Sequence, residues 1–281
     1  MAEPMTYPAF LAALRAEGLT VYEHKTGGRS PAEHNRNHKG AWGPVNGVMI
    51  HHTVTRGHDA TVEICRKGYA SLPGPLCHGV ICKQGHIHVV GYGRANHAGL
   101  GDNDVLQAVI AEHALPPDNE ANTDGNRHFY GFECENLGDG NDPWPAVQLE
   151  AIERAAAAVC RHHGWDQRSV IGHLEWQPGK VDPRGFTMAS MRARVADRLH
   201  GKTTNHSEQE DPLAGYSKRD IGDAAWNTDN LLAPDFAPDR KKNPRWTPSS
   251  YLRSIYNAVI TIRDELRALR KAVDALSKKE S

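Results

Sequence analysis

The chain has 281 residues, room for one large domain or a domain with an appendage. Its 33 basic and 34 acidic side chains leave a formal net charge of -1, without the basic excess of a general nucleic-acid binder, and no run approaches the ~20 apolar residues of a membrane span. A hydrophobic fraction of 39% is low for a uniformly compact chain and predicts a polar segment.

In chain order, Tyr7 to Arg15 reads as a short helix stopped by Gly18. The stretch Met1 to Gly18 carries Glu3 and Glu17 and has neither a basic start nor a long apolar run. It does not read as a secretory signal, so the expectation is a protein made in the cytoplasm. Val45 to Thr53 is an apolar run ending in two histidines, the pattern of a buried strand. Asp59 to Tyr69 is helix-like. Val80 to Cys82 and His86 to Val90 flank Lys83-Gln84-Gly85, which fits a hairpin. Tyr130 to Asn136 is strand-like. Pro145 to His163 is a helix whose apolar stripe runs through Val147, Leu149, Ile152, Ala156, Val159 and Cys160, with Gly164 as its stop. Val170 and Ile171 form a brief strand before His173, and Phe186 to Leu199 a last helix. Strands interleaved with helices predict an α/β domain with a mixed central sheet flanked by helices.

Composition divides the chain into a domain at 1–200, a polar Pro-containing linker at 201–246, and a helix at 247–281. In the linker, Trp226 and Leu231–Leu232 are the candidates for docking. In the final helix, Leu252, Ile255, Val259, Ile262, Leu266, Leu269, Val273 and Leu276 are spaced alternately three and four apart. That is an uninterrupted a/d seam and predicts a coiled coil joining copies of the chain, with Glu265 at g facing Arg270 at the next e and Ser249 or Ser250 capping the start. The alternative is an amphipathic helix docked on its own domain. Five scattered cysteines, Cys65, Cys77, Cys82, Cys134 and Cys160, read as free thiols. Cys77 and Cys82 lack the second close pair that completes a four-cysteine metal site.

Three short pieces carry chemistry. Val48-Met49-Ile50-His51-His52-Thr53 puts histidines at the end of an apolar strand. Ile171-Gly172-His173-Leu174-Glu175-Trp176 puts another at the end of a second, and Gly179-Lys180-Val181-Asp182-Pro183 follows. Two imidazoles and a carboxylate make an N/O ligand set that zinc accepts, with a fourth position left for water. Strand parity does not choose between His51 and His52, because Met49 and Ile50 make both faces apolar.

These pieces, with Leu72-Pro73-Gly74-Pro75-Leu76-Cys77-His78, Gly93-Arg94-Ala95-Asn96-His97-Ala98-Gly99 and Tyr130-Gly131-Phe132-Glu133-Cys134-Glu135-Asn136, resemble the type-2 N-acetylmuramoyl-L-alanine amidases, whose fold is shared with the peptidoglycan recognition proteins. The likeness spans roughly Val45 to Leu199 and is strongest to endolysins of phages that infect actinobacteria. It implies peptidoglycan as substrate, Zn2+ as cofactor, and His51, His173 and Asp182 as its ligands. It implies Glu133 as general base and then acid, with Glu135 two residues on as the competing carboxylate, and Lys180 as the cation facing the developing oxyanion. Some relatives carry Cys where this chain has Asp182. Several carry Tyr where it has Cys77, a departure that shifts proton transfer toward Glu133.

His97 is expected to line the substrate groove and Trp176 to offer a sugar-stacking face; the other tryptophans default to packing. His86 and His88 form an H-x-H on the hairpin and are expected as exposed positions beside the turn, with metal binding as the alternative; His162 and His163 are expected as cations at a helix end. The resulting expectation is a lytic enzyme made in the host cytoplasm that reaches the wall once the membrane is permeabilised, with no stable membrane insertion. The competing readings are a non-catalytic peptidoglycan-binding module and a zinc hydrolase with another cell-wall substrate.

Overall fold

The computed structural model describes residues 2–201, 231–232 and 245–277. The chain divides into two units, Met1–Thr204 and Asn205–Ser281.

The first unit holds helix α1 (Tyr7–Ala16), strand β1 (Val21–Glu23), β2 (Gly47–His52), α2 (His58–Lys67), β3 (Gly79–Ile81), β4 (Ile87–Val89), β5 (Leu100–Gly101), α3 (Asn103–Ile110), β6 (Thr123–Asp124), β7 (Phe129–Cys134), α4 (Ala146–His163), β8 (Val170–Gly172) and α5 (Met188–Leu199). Six strands make a mixed sheet in the order β1-β4-β3-β7-β2-β8. Strands β3, β7, β2 and β8 run parallel, β3 and β4 form the antiparallel hairpin, and β1 lies parallel to β4 at the edge. The expected mixed sheet flanked by helices is therefore present. Strands β1, β5 and β6 and helix α3 were not anticipated: the strands are only two or three residues long and α3 has eight residues, too short for a clear period.

Register decides what the sheet presents at its edge. His51 pairs with Glu133 across β2 and β7, and Ile50 pairs with Gly172 across β2 and β8. The residue after Gly172 is His173, so three parallel strands end together and deliver His51, Glu133 and His173 to one carboxyl edge, where open α/β sheets place their clefts.

Two apolar layers cover the faces. Val48 and Ile50 of β2 and Tyr130, Phe132 and Cys134 of β7 meet α1, α4 and α5. Met49 and Phe129 turn to the opposite face, against Val105, Leu106 and Val109 of α3 and Trp176. Each fully buried aliphatic side chain in such a layer stabilises by roughly 1.5–3 kcal/mol. A third cluster, Val62, Cys65, Cys77, Val80 and Val90, seats α2. Parity follows: His51 shares the face of Met49 and Glu133 that of Phe129, while His52 points the other way.

Helix ends have visible causes. Thr6 caps α1 by accepting from the Ala9 amide, and Thr187 caps α5 by accepting from Ser190. Gly164, at φ 71°, closes α4 as expected. All five cysteines are unpaired and buried. The turn-side expectation for His88 is corrected: it is buried, because β1 on one side and β3 on the other cover β4. No helix among the described residues is long and apolar enough to cross a membrane.

In the second unit, β9 (Leu231–Leu232) pairs antiparallel with β10 (Arg245–Trp246), and helix α6 (Pro248–Ser277) follows. Thr247, not Ser249 or Ser250, caps α6, accepting from the Ser250 amide with Pro248 in the first helical turn. The a/d residues Leu252, Ile255, Val259, Ile262, Leu266 and Leu269 are each 50–60% exposed. The rest of the expected linker, Trp226 included, and residues 278–281 lie outside the described residues.

Candidate metal centre

His51 leaves the end of β2, His173 the end of β8, and Asp182 the loop before α5. That loop is held in place: the Leu174 amide donates to the Asp182 carbonyl at 2.7 Å. Glu175 accepts the Gly172 amide and a paired approach from Arg192 of α5 at 2.8 Å on each oxygen, which clamps the turn carrying His173.

The three side chains converge on one point. Nδ1 of His51 lies 3.1 Å from Nδ1 of His173, and both face Oδ2 of Asp182, at 3.0 and 3.1 Å. Three ligands at about 2.1 Å from one tetrahedral ion stand about 3.4 Å apart, so a triangle of this size needs only slight opening to hold zinc. Without an ion, two ring nitrogens and one carboxylate oxygen compete for the same few protons. Three lone pairs aimed at one cation fit the arrangement better. Burial pushes His51 down to about 4, with the Asp182 hydrogen bond acting the other way. Burial works to raise Asp182, but the imidazoles of His173 and His51 beside it hold its carboxyl below the usual range.

A second layer fixes the tautomer of His51. Nε2 of His51 lies 3.1 Å from Nδ1 of His97, whose Nε2 lies 3.3 Å from the Phe129 carbonyl. A carbonyl only accepts, so His97 donates to it through Nε2–H and keeps a bare Nδ1. His51 then donates through Nε2–H and keeps its Nδ1 lone pair for the centre. Asn126 Oδ1 accepts the amides of His97 and Ala98, both at 2.8 Å, and pins the loop. Gly131 makes the room: a Cβ there would lie 2.5 Å from His97 Nδ1. His97 does line the groove, but it is largely buried and its ring is committed to His51.

Glu133 faces the same groove. Its Oε2 is buried without a hydrogen-bond partner in the protein. Burial, then the neighbouring Cys65 and Asp182, push its carboxyl well above the ordinary value, with Lys180 acting the other way. Glu135 differs: its two oxygens accept the amides of Gly57 and Lys83 at 3.0 and 3.2 Å, so it ties two loops together. Lys180 is exposed on the groove wall. His52 points away, its Nδ1 accepting the Arg184 amide at 3.0 Å.

The expectation for Trp176 is corrected. It is fully buried, its ring packs edge-on against Phe129, and its Nε1–H donates to the Ala98 carbonyl at 3.0 Å, so no face is open to a sugar. The apolar part of the groove is instead Val54, Leu72, Leu76 and Val181. Sequence reasoning passed over these. Val54 sits at φ 51°, a region β-branched residues avoid, and is 66% exposed.

A family model described as N-acetylmuramoyl-L-alanine amidase matches residues 41–185, slightly more than half of the chain. Nothing among curated proteins matches it. Similar solved structures include the endolysin N-acetylmuramoyl-L-alanine amidase LysCS from Clostridium intestinale URNW, 14% identical over 63% of this chain and 94% of that one, TM-score 0.42. Others are the N-acetylmuramyl-L-alanine amidase AmiD from E. coli with its substrate anhydro-N-acetylmuramic acid-L-Ala-D-gamma-Glu-L-Lys (16%, 61% and 65%, TM-score 0.40) and a mutant endolysin from Bacillus subtilis (16%, 63% and 99%, TM-score 0.39).

Proposed function

The chain belongs to the N-acetylmuramoyl-L-alanine amidase family and is an enzyme of that activity acting on peptidoglycan; on that premise we propose that it works as a zinc enzyme of the phage endolysin type. The observation that carries the zinc assignment is the donor triangle of His51, His173 and Asp182, with edges of 3.0–3.1 Å, beside the unpartnered carboxyl of Glu133.

His51, His173 and Asp182 would hold the ion, and bound zinc would supply Lewis acidity and water of lowered pKa. Glu133 takes the proton of the attacking water and returns it to the nitrogen of the departing L-alanine. Burial raises its carboxyl, which strengthens it as a proton acceptor toward the water. Lys180 faces the oxygen that gains negative charge as the lactyl carbonyl becomes tetrahedral. Asp182 stays ionised throughout.

The test is digestion of purified actinobacterial wall followed by mass spectrometry. The reading expects free muramic acid lactyl groups and new L-alanine amino termini, lost on chelation and restored by zinc. Acetate release would point to a deacetylase, and chelator-resistant cleavage would end the metal assignment. The lytic role rests on the resemblance to endolysins. Expression in an actinobacterial host should arrest growth only when the membrane is permeabilised at the same time.

Residues 1–200 act as the catalytic domain and 201–246 as a linker, with α6 joining copies of the chain. The support is the exposed apolar seam from Leu252 to Leu269 and the Glu265 and Arg270 positions that flank it. Linked active sites on an insoluble polymer gain affinity through effective concentration.

A further inference from the structure

A second group of metal-type side chains lies beside β3 and β4, across the sheet from β2 and β8. His58 opens α2, Cys82 follows β3 at the start of the hairpin turn, and His88 sits in the middle of β4. Ligand atoms of these three all lie within 4.8 Å of one another. Strand β4 is separated from β2 and β8 by β3 and β7, so this group shares no residue with His51, His173 and Asp182.

Each of the two imidazoles has one ring nitrogen that is buried and bare. Nδ1 of His88 meets Nε2 of His24 at 2.8 Å, while Nε2 of His88 has no partner. Nε2 of His58 lies 3.5 Å from Oδ1 of Asp59, while Nδ1 of His58 has none. Buried polar atoms in folded proteins nearly always find a partner. Two bare ring nitrogens beside one thiol, with the His88 ring oriented through its far nitrogen by His24, is the arrangement in which a histidine ligand is steered by its second neighbour. The His58 and His88 rings meet edge to face at 4.3 Å, and Tyr22 stacks on His88 at 5.1 Å and limits its rotation.

We propose that His58, Cys82 and His88 bind a second zinc ion, distinct from the catalytic one, with solvent in the fourth position. A thiolate with two imidazoles suits zinc, and tetrahedral edges in such a set are about 3.4–3.8 Å, so closing from 4.8 Å takes about 1 Å of side-chain movement. A shallow recess lined by Tyr22, Glu23, His24, His58, His86 and His88 gives the ion its entry. On binding, the Cys82 thiol loses its proton to solvent. The ion ties the start of α2 to the β3–β4 hairpin. The loop from Thr53 to Gly57, which carries Val54 into the catalytic groove, ends at that anchor.

The test is metal content and cobalt spectroscopy of the full chain. The proposal expects two zinc ions per chain and, with Co2+, a near-ultraviolet thiolate-to-metal band that the sulfur-free catalytic centre cannot give. His173→Ala should keep that band and lose one ion. Cys82→Ser should lose the band and one ion. His58→Ala, at a half-exposed helix start, keeps the fold and should weaken cobalt binding at this site at least about tenfold. A folded wild-type chain with one ion and no thiolate band would overturn the proposal, as would a band that survives Cys82→Ser.

Discussion

Glu133 and Glu135 are two residues apart on one strand end, and the same isosteric change should have opposite effects at each. Glu133 has a buried oxygen without a partner and a carboxyl pushed upward by burial, Cys65 and Asp182. A group whose folded-state pKa lies above its unfolded value favours folding most below the unfolded value, and that support is lost as pH rises through the folded one. At neutral pH its charge is a cost of folding, so Glu133→Gln should leave the melting temperature unchanged or higher. Loss of general acid–base catalysis should lower kcat about 10²–10⁴-fold, about 3–5 kcal/mol of barrier, with metal content intact. Glu135 accepts two backbone amides. Gln can satisfy only one of them and sets an N–H against the other, and a bond to a charged acceptor contributes about 1.5–3 kcal/mol. Glu135→Gln should therefore lose about 2–3 kcal/mol, a fall of roughly 4–12 °C in a unit of this size, and keep kcat within a few-fold. Wall-release assays and calorimetry on both proteins decide it. An active Glu133→Gln, or a Glu135→Gln that is inactive yet as stable as the parent, would refute the assignment.

His97→Ala should weaken zinc binding about 10–100-fold by freeing the His51 tautomer, measurable by competition with a chromogenic chelator; unchanged affinity would show that the His97 hydrogen bond does not set it. His78 is buried, accepts the Gly131 amide through Nδ1 and donates to the Gly93 carbonyl through Nε2, and burial lowers it from 6.5 to about 4. Between those values the unfolded chain binds more protons. Stability therefore rises with pH across the window and falls on acidification by up to about 3 kcal/mol from this residue, and denaturant titrations at pH 7 and pH 4.5 should show a shallower loss in His78→Gln. Sedimentation at micromolar concentration should give a dimer or trimer that Ile262→Glu reduces to monomer; a monomeric parent would end the coiled-coil reading.

The parts of the site that were legible in the sequence are those carried by unbroken short runs. A strand ending in His51-His52 and a second ending at His173, with Asp182 nine residues on, announce a shared edge because parallel strands finish together. What stayed hidden is set by contacts distant in sequence. The choice between His51 and His52 depends on which apolar face carries α3 and which carries α4, and both faces read alike in β2. The separation of Glu133 from Glu135 depends on Gly57 and Lys83, and the burial of Trp176 on Phe129 and the Ala98 carbonyl. His88 looked like a turn residue because the three-residue strand β1 that covers it has no period to read.

Strand β7 concentrates the requirements of the catalytic edge into alternate positions. The Phe129 carbonyl ends the hydrogen-bond chain from His51 through His97, Gly131 leaves the space in which the His97 ring lies, and Glu133 presents the carboxyl. One strand thus fixes both the tautomer of His51, the proposed ligand, through His97, and the position of the proposed base beside it. A side chain at Gly131 would have to displace the His97 ring. Gly131→Ala should therefore reproduce the weakened zinc affinity of His97→Ala without touching any atom of the donor triangle. Native affinity in a folded Gly131→Ala protein would show that His51 holds its tautomer without help.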